Sequence, residues 1–230
     1  MSGLLELRNV TKVFGGGIFS KNRTTALEDL SFTLDTDQSS ITSIVGESGS
    51  GKTTVARLLL GMIAPTKGHI FYKGNDVAEM SRVERKEFRR EVQPIFQDPF
   101  EVFNPFYKVD HVLKVPISKF KLAGSAGEER SMINDALEMV GLRPDETLGR
   151  YPHQLSGGQR QRIMVARSLL LKPKVILADE PVSMVDASLR ATILESIHKL
   201  NRELGISILY ITHDLTTAYQ ISDNILVLYR

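Results

Sequence analysis

The chain has 230 residues, 42% of them hydrophobic and 24% charged, with a net charge of +2 and no cysteine. That is one large domain, or one domain with an insert, and it has enough apolar residues for a core without staples. Disulfides and thiolate metal sites are excluded. So small a basic excess gives no footprint for nucleic acid, and no apolar run reaches the roughly 18 residues of a membrane span.

Taken in chain order, Leu4–Val10 and Ile70–Tyr72 look like strands, and so does Ala26–Leu34, which alternates as a half-buried strand does. Ile41–Val45 is short, apolar and β-branched, the texture of a buried central strand. A helix is predicted over Thr53–Leu60, stopped near Gly61 and Pro65. From Asp98 to about Arg150 the texture changes. DPFEVFNPFYKV is loop-like, and Glu128–Val140 has a helical period with Ile133, Leu137 and Val140 on one face. Gly158–Leu171 reads as a helix and Val175–Ala178 as a second buried strand. Leu189, Ile193, Ile197, Leu200 and Leu204 mark an amphipathic helix, and Ile206–Ile211 is a third buried strand. This alternation predicts an α/β fold: a mostly parallel sheet with helices on its faces and an inserted helical part.

Between the strand at Ile41–Val45 and the helix that follows, Gly46 to Thr53 reads GESGSGKT. This is the P-loop pattern in its proper strand–loop–helix context. Glycines let successive backbone N–H groups face phosphate oxygens, and the helix N-terminus adds its dipole. Lys52 would reach the β- and γ-phosphates, and the Thr53 hydroxyl would ligate Mg²⁺. Gly46, Glu47, Ser48, Gly49, Ser50, Gly51 and Thr54 complete the cradle. The strand Val175–Ala178 ends in Asp179 and Glu180. Asp179 is placed to hold Mg²⁺ through water, and Glu180 to polarise an attacking water. A guanine-reading NKxD is missing. Its nearest candidate, Tyr107-Lys-Val-Asp110, lacks the Asn and follows no clear strand, so ATP is the expected nucleotide.

A second anion cradle lies at Leu155–Gln159, LSGGQ, before a helix. With the P-loop upstream and Asp179-Glu180 downstream, this set resembles the ATP-binding-cassette (ABC) ATPases over nearly the whole chain. The resemblance implies a P-loop NTPase (RecA-like) core over 1–97 and 163–230. It also implies an N-terminal antiparallel β subdomain and a helical subdomain over about 98–162. Two such domains pack head to tail in that family. Ser156, Gly157, Gly158 and Gln159 would close on ATP held by the other subunit's P-loop, so that ATP joins the dimer and hydrolysis releases it.

Other family positions follow by resemblance. Phe14 matches the aromatic that stacks on adenine, commonly Tyr. Gln97, in PIFQDP, matches the glutamine that contacts Mg²⁺ and the lytic water and senses the membrane partner. His213, in ITHD, matches the histidine at the γ-phosphate. Asp186, in PVSMVDAS, matches the loop that communicates across the dimer, although SMVD stands where SALD is usual. Glu180 would be the general base, with Lys52, Ser156 and His213 stabilising charge on the transferred phosphoryl. His69, His111, His153 and His198 have no metal-ligand spacing.

IFQDPFEVFNP and YPHQLSGGQRQRIMVARSLL are most similar to ATPases of the oligopeptide, dipeptide and nickel importer group, which in some members takes oligosaccharides. That implies a peripheral place on the cytoplasmic face of the membrane. The implied partners are transmembrane permease subunits docked on the helical insert and a second ABC ATPase subunit, or a second copy of this one. A solute-binding protein would act indirectly, and no nucleic acid is implied. The alternative is a non-transport ABC ATPase in DNA repair or translation. The close spacing of Lys52 and Ser156, the lack of sustained heptads and the single P-loop count against it. The family tail expected beyond a strand at Ile225–Tyr229 is absent from this sequence.

Overall fold

The computed structural model describes residues 3–15, 23–35, 39–96, 103–183 and 187–229. In chain order the elements are β1 (Leu5–Gly15), β2 (Arg23–Leu34), β3 (Ile41–Gly46), α1 (Lys52–Leu59), β4 (Lys67–Tyr72), β5 (Asn75–Asp76), α2 (Arg82–Glu91) and β6 (Val92–Ile95). Then follow α3 (Asp110–Phe120), α4 (Ala126–Met139), α5 (Pro144–Thr147), α6 (Gly157–Leu169), β7 (Val175–Asp179), α7 (Ala187–Leu204), β8 (Ser207–Thr212), α8 (Leu215–Ile221) and β9 (Asn224–Leu228).

The strands form two sheets. One is four-stranded, in the order β2-β1-β4-β5, and antiparallel throughout. The other is five-stranded, in the order β6-β7-β8-β3-β9, and parallel throughout. The central strands β7 and β8 are apolar at most positions and covered on both faces, whereas the edge strand β9 leaves Asn224 and Val227 exposed. Alternate residues serve opposite cores. Ile208 and Tyr210 of β8 join α3, α4, α6 and α7 in one core, whereas Leu209 and Ile211 join α1, α2 and the antiparallel sheet in the other. Ile176 and Ala178 of β7 face the first core, and Val175 and Leu177 the second. Each fully buried Leu or Ile side chain contributes about 1.5–3 kcal/mol.

Several elements go beyond the sequence reading. Helix α2 is almost entirely charged and buries only Phe88. A capping box starts it: the Glu84 N–H donates to Ser81 Oγ, and the Ser81 N–H donates to Glu84 Oε2 at 2.8 Å. Helix α3 contains Pro116. In α7 the apolar stripe ends early. Ile193, Ile197 and Leu200 are buried, but Leu204 is exposed. Asn201 is buried in its stead, its Nδ2 donating to the Ile206 carbonyl at 2.9 Å, and so carries the turn into β8. Helix α6 runs unbroken through position 162. Asp110, the acid of the Tyr107–Asp110 stretch, opens α3 and accepts from the Gly149 N–H at 2.7 Å.

Candidate functional site

In an open parallel sheet, ligands bind outside the carboxyl ends of the strands. Three neighbouring strands end side by side here. Val45 of β3 lies opposite Thr212 of β8, and Ile211 of β8 lies opposite Asp179 of β7. The residues that follow each strand therefore meet: the glycine loop after β3, Glu180 after β7 and His213 after β8. They line a cleft of about 660 Å³, with Glu47, Ser48, Gly49, Gly51, Lys52, Thr53 and Thr54 on one side and Glu180 and His213 on the other.

The loop is shaped by close approach. A Cβ on Gly46 would lie 2.4 Å from the Leu228 carbonyl oxygen and 2.6 Å from Ser50 Oγ. Gly51, which caps α1, has φ 97°, the left-handed region where glycine is at home. The loop carbonyls of Gly46 and Glu47 accept hydrogen bonds from Lys52 Nζ, at 2.7 and 2.8 Å. The ammonium is thereby held against the loop, with one N–H over for an anion, and Lys52 as a residue is 7% exposed. Ser50 Oγ is buried with no hydrogen-bond partner among the described residues. A held ammonium and an orphaned hydroxyl at the start of a helix fit a polyphosphate.

The acidic side is strained and coupled. Glu180 has φ 46°, a conformation disfavoured for a non-glycine residue. Its N–H donates to the Ile211 carbonyl at 2.8 Å, while its carbonyl accepts from Ser183 N–H and Oγ. Strain of this kind persists only where the surroundings over-determine it. It turns the carboxylate toward β8, and Glu180 Oε1 lies 3.0 Å from His213 Nδ1. Burial first, and then the Glu180 carboxylate, push the Asp179 carboxyl above its ordinary range, against the pull of Lys52 and Arg57. An acid so placed gains by pairing with a cation. Thr53 is exposed in the cleft, whose lining stops at Glu180 and does not include Asp179; a hydroxyl and a carboxyl are donors of the type that Mg²⁺ takes, and it needs few protein ligands because it keeps several waters. No group of three or more metal-binding side chains occurs among the described residues.

Sequence reasoning overlooked the helix cap that directly follows His213. Asp214 caps α8 by accepting from the Thr216 and Thr217 N–H groups, and its own N–H donates to Thr212 Oγ1 at 3.0 Å. Arg190 of α7 reaches Asp214 at 3.5 Å. Asp followed two and three residues on by Thr was the available signal.

Two sequence-predicted sets lie apart from the cleft. Phe14, on β1, is 41% exposed, with Lys12 Nζ 5.1 Å from its ring centroid. Ser156, Gly157, Gly158 and Gln159 do not line the cleft. They open α6 with a reciprocal capping box, in which the Gln159 N–H donates to Ser156 Oγ at 3.2 Å and the Ser156 N–H to Gln159 Oε1 at 2.9 Å. A Cβ on Gly157 would meet nothing within 4 Å. No described residue therefore requires glycine there. Gln97 and Asp186 lie outside the described residues.

Residues 27–183, more than half the chain, match the family model for ABC transporters. The chain is 39% identical to the oligopeptide transport ATP-binding protein AppF of Bacillus subtilis, over 98% of this chain and 69% of that one. It is 43% identical to the dipeptide transport ATP-binding protein DppF of Haemophilus influenzae, over 93% of this chain and 64% of that one. The chain thus spans about two thirds of the length of these curated relatives. Among solved structures, a dimeric post-hydrolysis state of the ATP-binding cassette MJ0796 bound to ADP and Pi superposes with a TM-score of 0.83 at 30% identity. That match covers 97% of this chain and 94% of the other.

Proposed function

This chain belongs to the ABC transporter family, and we propose that it is the ATP-hydrolysing subunit that powers import of a small solute, a peptide first of all, through a membrane permease. The observation that carries the proposal is the convergence of the glycine loop, Lys52, Glu180 and His213 on one cleft. Its relatives' names supply the solute class, and nickel or an oligosaccharide remains within the group's range. No helix among the described residues is long and apolar enough to cross a membrane, so attachment to the membrane's cytoplasmic face would run through the permease.

In this reading the loop amides and Lys52 bind the ATP phosphates, and Phe14 stacks on adenine. Thr53 and Asp179, with Gln97 as a further ligand, would hold Mg²⁺, which when bound would neutralise phosphate charge. Glu180 takes the proton of the attacking water, and His213 steadies the γ-phosphate and aligns Glu180 through the 3.0 Å contact. The signature is completed in trans: Ser156, Gly157, Gly158 and Gln159 of a second cassette, itself or a different ATPase, face the γ-phosphate, and Asp186 relays across the seam. The open space at Gly157 supports this, because a partner explains a glycine that no described residue requires. ADP lacks the group that the second cassette contacts, so hydrolysis releases the pair.

The test is Glu180→Gln. Turnover should fall by roughly 10²-fold or more, the usual worth of a general base, while calorimetry finds ATP affinity retained. Hydrolysis at the wild-type rate would move the base elsewhere.

A further inference from the structure

Phe14 lies outside the phosphate cleft, and the antiparallel sheet joins the two. Lys12 of β1 stands opposite Leu27 of β2, and Phe14 opposite Thr24. Leu27 abuts the start of α1: a Cβ on Gly51 would lie 2.7 Å from Leu27 Cδ2 and 2.6 Å from the Ala26 carbonyl oxygen. The P-loop thus ends against the part of the β1–β2 pair that carries Lys12, and Phe14 follows two residues farther along. A nucleotide whose phosphates fill the loop has its base on that side.

Lys12 places its ammonium over the Phe14 ring, 5.1 Å from the centroid. The same ammonium donates to the Ala64 carbonyl at 2.7 Å. Ala64 lies in the segment between α1 and β4, which is tied to β1 twice more. The Thr66 N–H donates to the Thr11 carbonyl at 2.8 Å, and the Val13 N–H donates to Thr66 Oγ1 at 3.0 Å. A surface lysine is ordinarily a solvated charge on a flexible stem. This one is held by a carbonyl that is itself held by the strand.

A cation over one face of an aromatic ring leaves the other face for a flat ligand. Phe14 is 41% exposed, so it has surface to offer. Two effects then favour a base. The ring is placed before the nucleotide arrives, so less side-chain freedom is lost on binding. The cation also draws π density toward itself, which makes the far face a better partner for an electron-rich purine. Phenylalanine has the greater need of such a hold, because it lacks the hydroxyl by which a tyrosine ring can be anchored.

We propose that Lys12 is a positioning residue for nucleotide binding: pinned by the Ala64 carbonyl, its ammonium holds the Phe14 ring with the far face open for adenine. The proposal rests on the reading above, in which Phe14 stacks on adenine. It goes beyond that reading by naming the residue that prepares the ring.

The test is calorimetry with Mg-ATP and with Mg-tripolyphosphate, which has the phosphates and lacks the base. Lys12→Met keeps the length of the side chain and removes its charge. It should weaken ATP by roughly threefold, the worth of one exposed cation–π contact or one side chain immobilised in advance, and leave tripolyphosphate unchanged. Lys12→Arg keeps a cation that stacks on rings and should restore most of the loss. In steady-state hydrolysis the loss should fall on KM rather than kcat, because the base is held alike in the ground and transition states. With Phe14→Leu already in place, Lys12→Met should have no further effect. Equal weakening of ATP and tripolyphosphate would show that Lys12 acts through the Ala64 segment on the P-loop, and would overturn the proposal. So would an unchanged ATP affinity, a loss that persists without Phe14, or no rescue by arginine. All of these spare the parent reading if Phe14→Leu alone weakens ATP and not tripolyphosphate. A Phe14→Leu protein that binds ATP like wild type would remove the stacking and the proposal together, and a wild-type protein that binds no ATP would remove the ATPase reading.

Discussion

Two glycines of the two cradles should respond in opposite ways to the same added methyl group. Gly51 has φ 97°, and its added Cβ would lie 2.6 Å from the Ala26 carbonyl oxygen and 2.7 Å from Leu27 Cδ2. A left-handed L-residue costs about 1–2 kcal/mol, and a methyl forced against backbone adds about 1–3 kcal/mol. Gly51→Ala should therefore lose about 3 kcal/mol, which for a domain of this size is about 6–12 °C in melting temperature. Gly157 lies in the first turn of α6 with open space where its Cβ would point. Alanine is the better helix former by up to about 1 kcal/mol, so Gly157→Ala should melt at or slightly above wild type. Its ATP affinity as a monomer should be unchanged, but its ATP-driven pairing and turnover should fall, because the methyl points where a second cassette closes. The assays are thermal melts by circular dichroism, nucleotide calorimetry and steady-state hydrolysis on both variants. A Gly157→Ala protein that melts several degrees low would show that the glycine serves the chain's own packing and refute the trans reading. A Gly51→Ala protein that melts within a degree of wild type would refute the clash.

Three further outcomes follow from the same geometry. Lys52→Ala should lose most ATP affinity by calorimetry, since it removes the charge that the Gly46 and Glu47 carbonyls hold in the loop. Asp214→Ala should lower kcat more than it raises KM for ATP, and should cost about 1 kcal/mol of stability as a lost helix cap, because Asp214 fixes the start of α8 beside His213 without lining the cleft. Glu91 is opposed by burial but receives hydrogen bonds from Lys73 at 2.6 Å and Tyr72 at 2.7 Å, and the balance lowers its pKa below the ordinary 4.5. A lowered carboxyl pKa stabilises the fold above the unfolded value, and that contribution disappears as pH falls through the folded one. Glu91→Gln should therefore cost about 1 kcal/mol at pH 7 in urea titrations, and the gap from wild type should close as the pH drops below about 4.5.

How much could be read from sequence depended on whether local chemistry settled the structure. Strands β3, β7 and β8 were legible because burial on both faces favours short, largely apolar and β-branched runs, and β3 admits only the small Thr42 and Ser43 among them. The P-loop was legible because its glycines, Lys52 and Thr53 have few other uses. Helix α2 was missed because it turns almost all of its surface to water, and only Ser81 with Glu84 announced it. Helix α3 was hidden by Pro116, and α8 by its shortness. Leu204 continued a helical spacing past the end of the core it was meant to fill. The left-handed backbone of Glu180 has no local sign at all, because it follows from a hydrogen bond to Ile211 on another strand. The signature could be recognised from its residues, but the pairing with a second cassette that we propose for it is not contained in one chain.

The central claim is that ATP joins this cassette to another beneath a permease. The most direct measurement is purification of tagged Glu180→Gln protein from its own membranes in Mg-ATP and, separately, in Mg-ADP, with chemical cross-linking and mass spectrometry of what is recovered. The account predicts permease subunits in both samples, and a cassette-to-cassette cross-link near Ser156, with itself or a second ATPase, only in ATP. Soluble proteins without a permease, or cassette cross-links indifferent to the nucleotide, would contradict it.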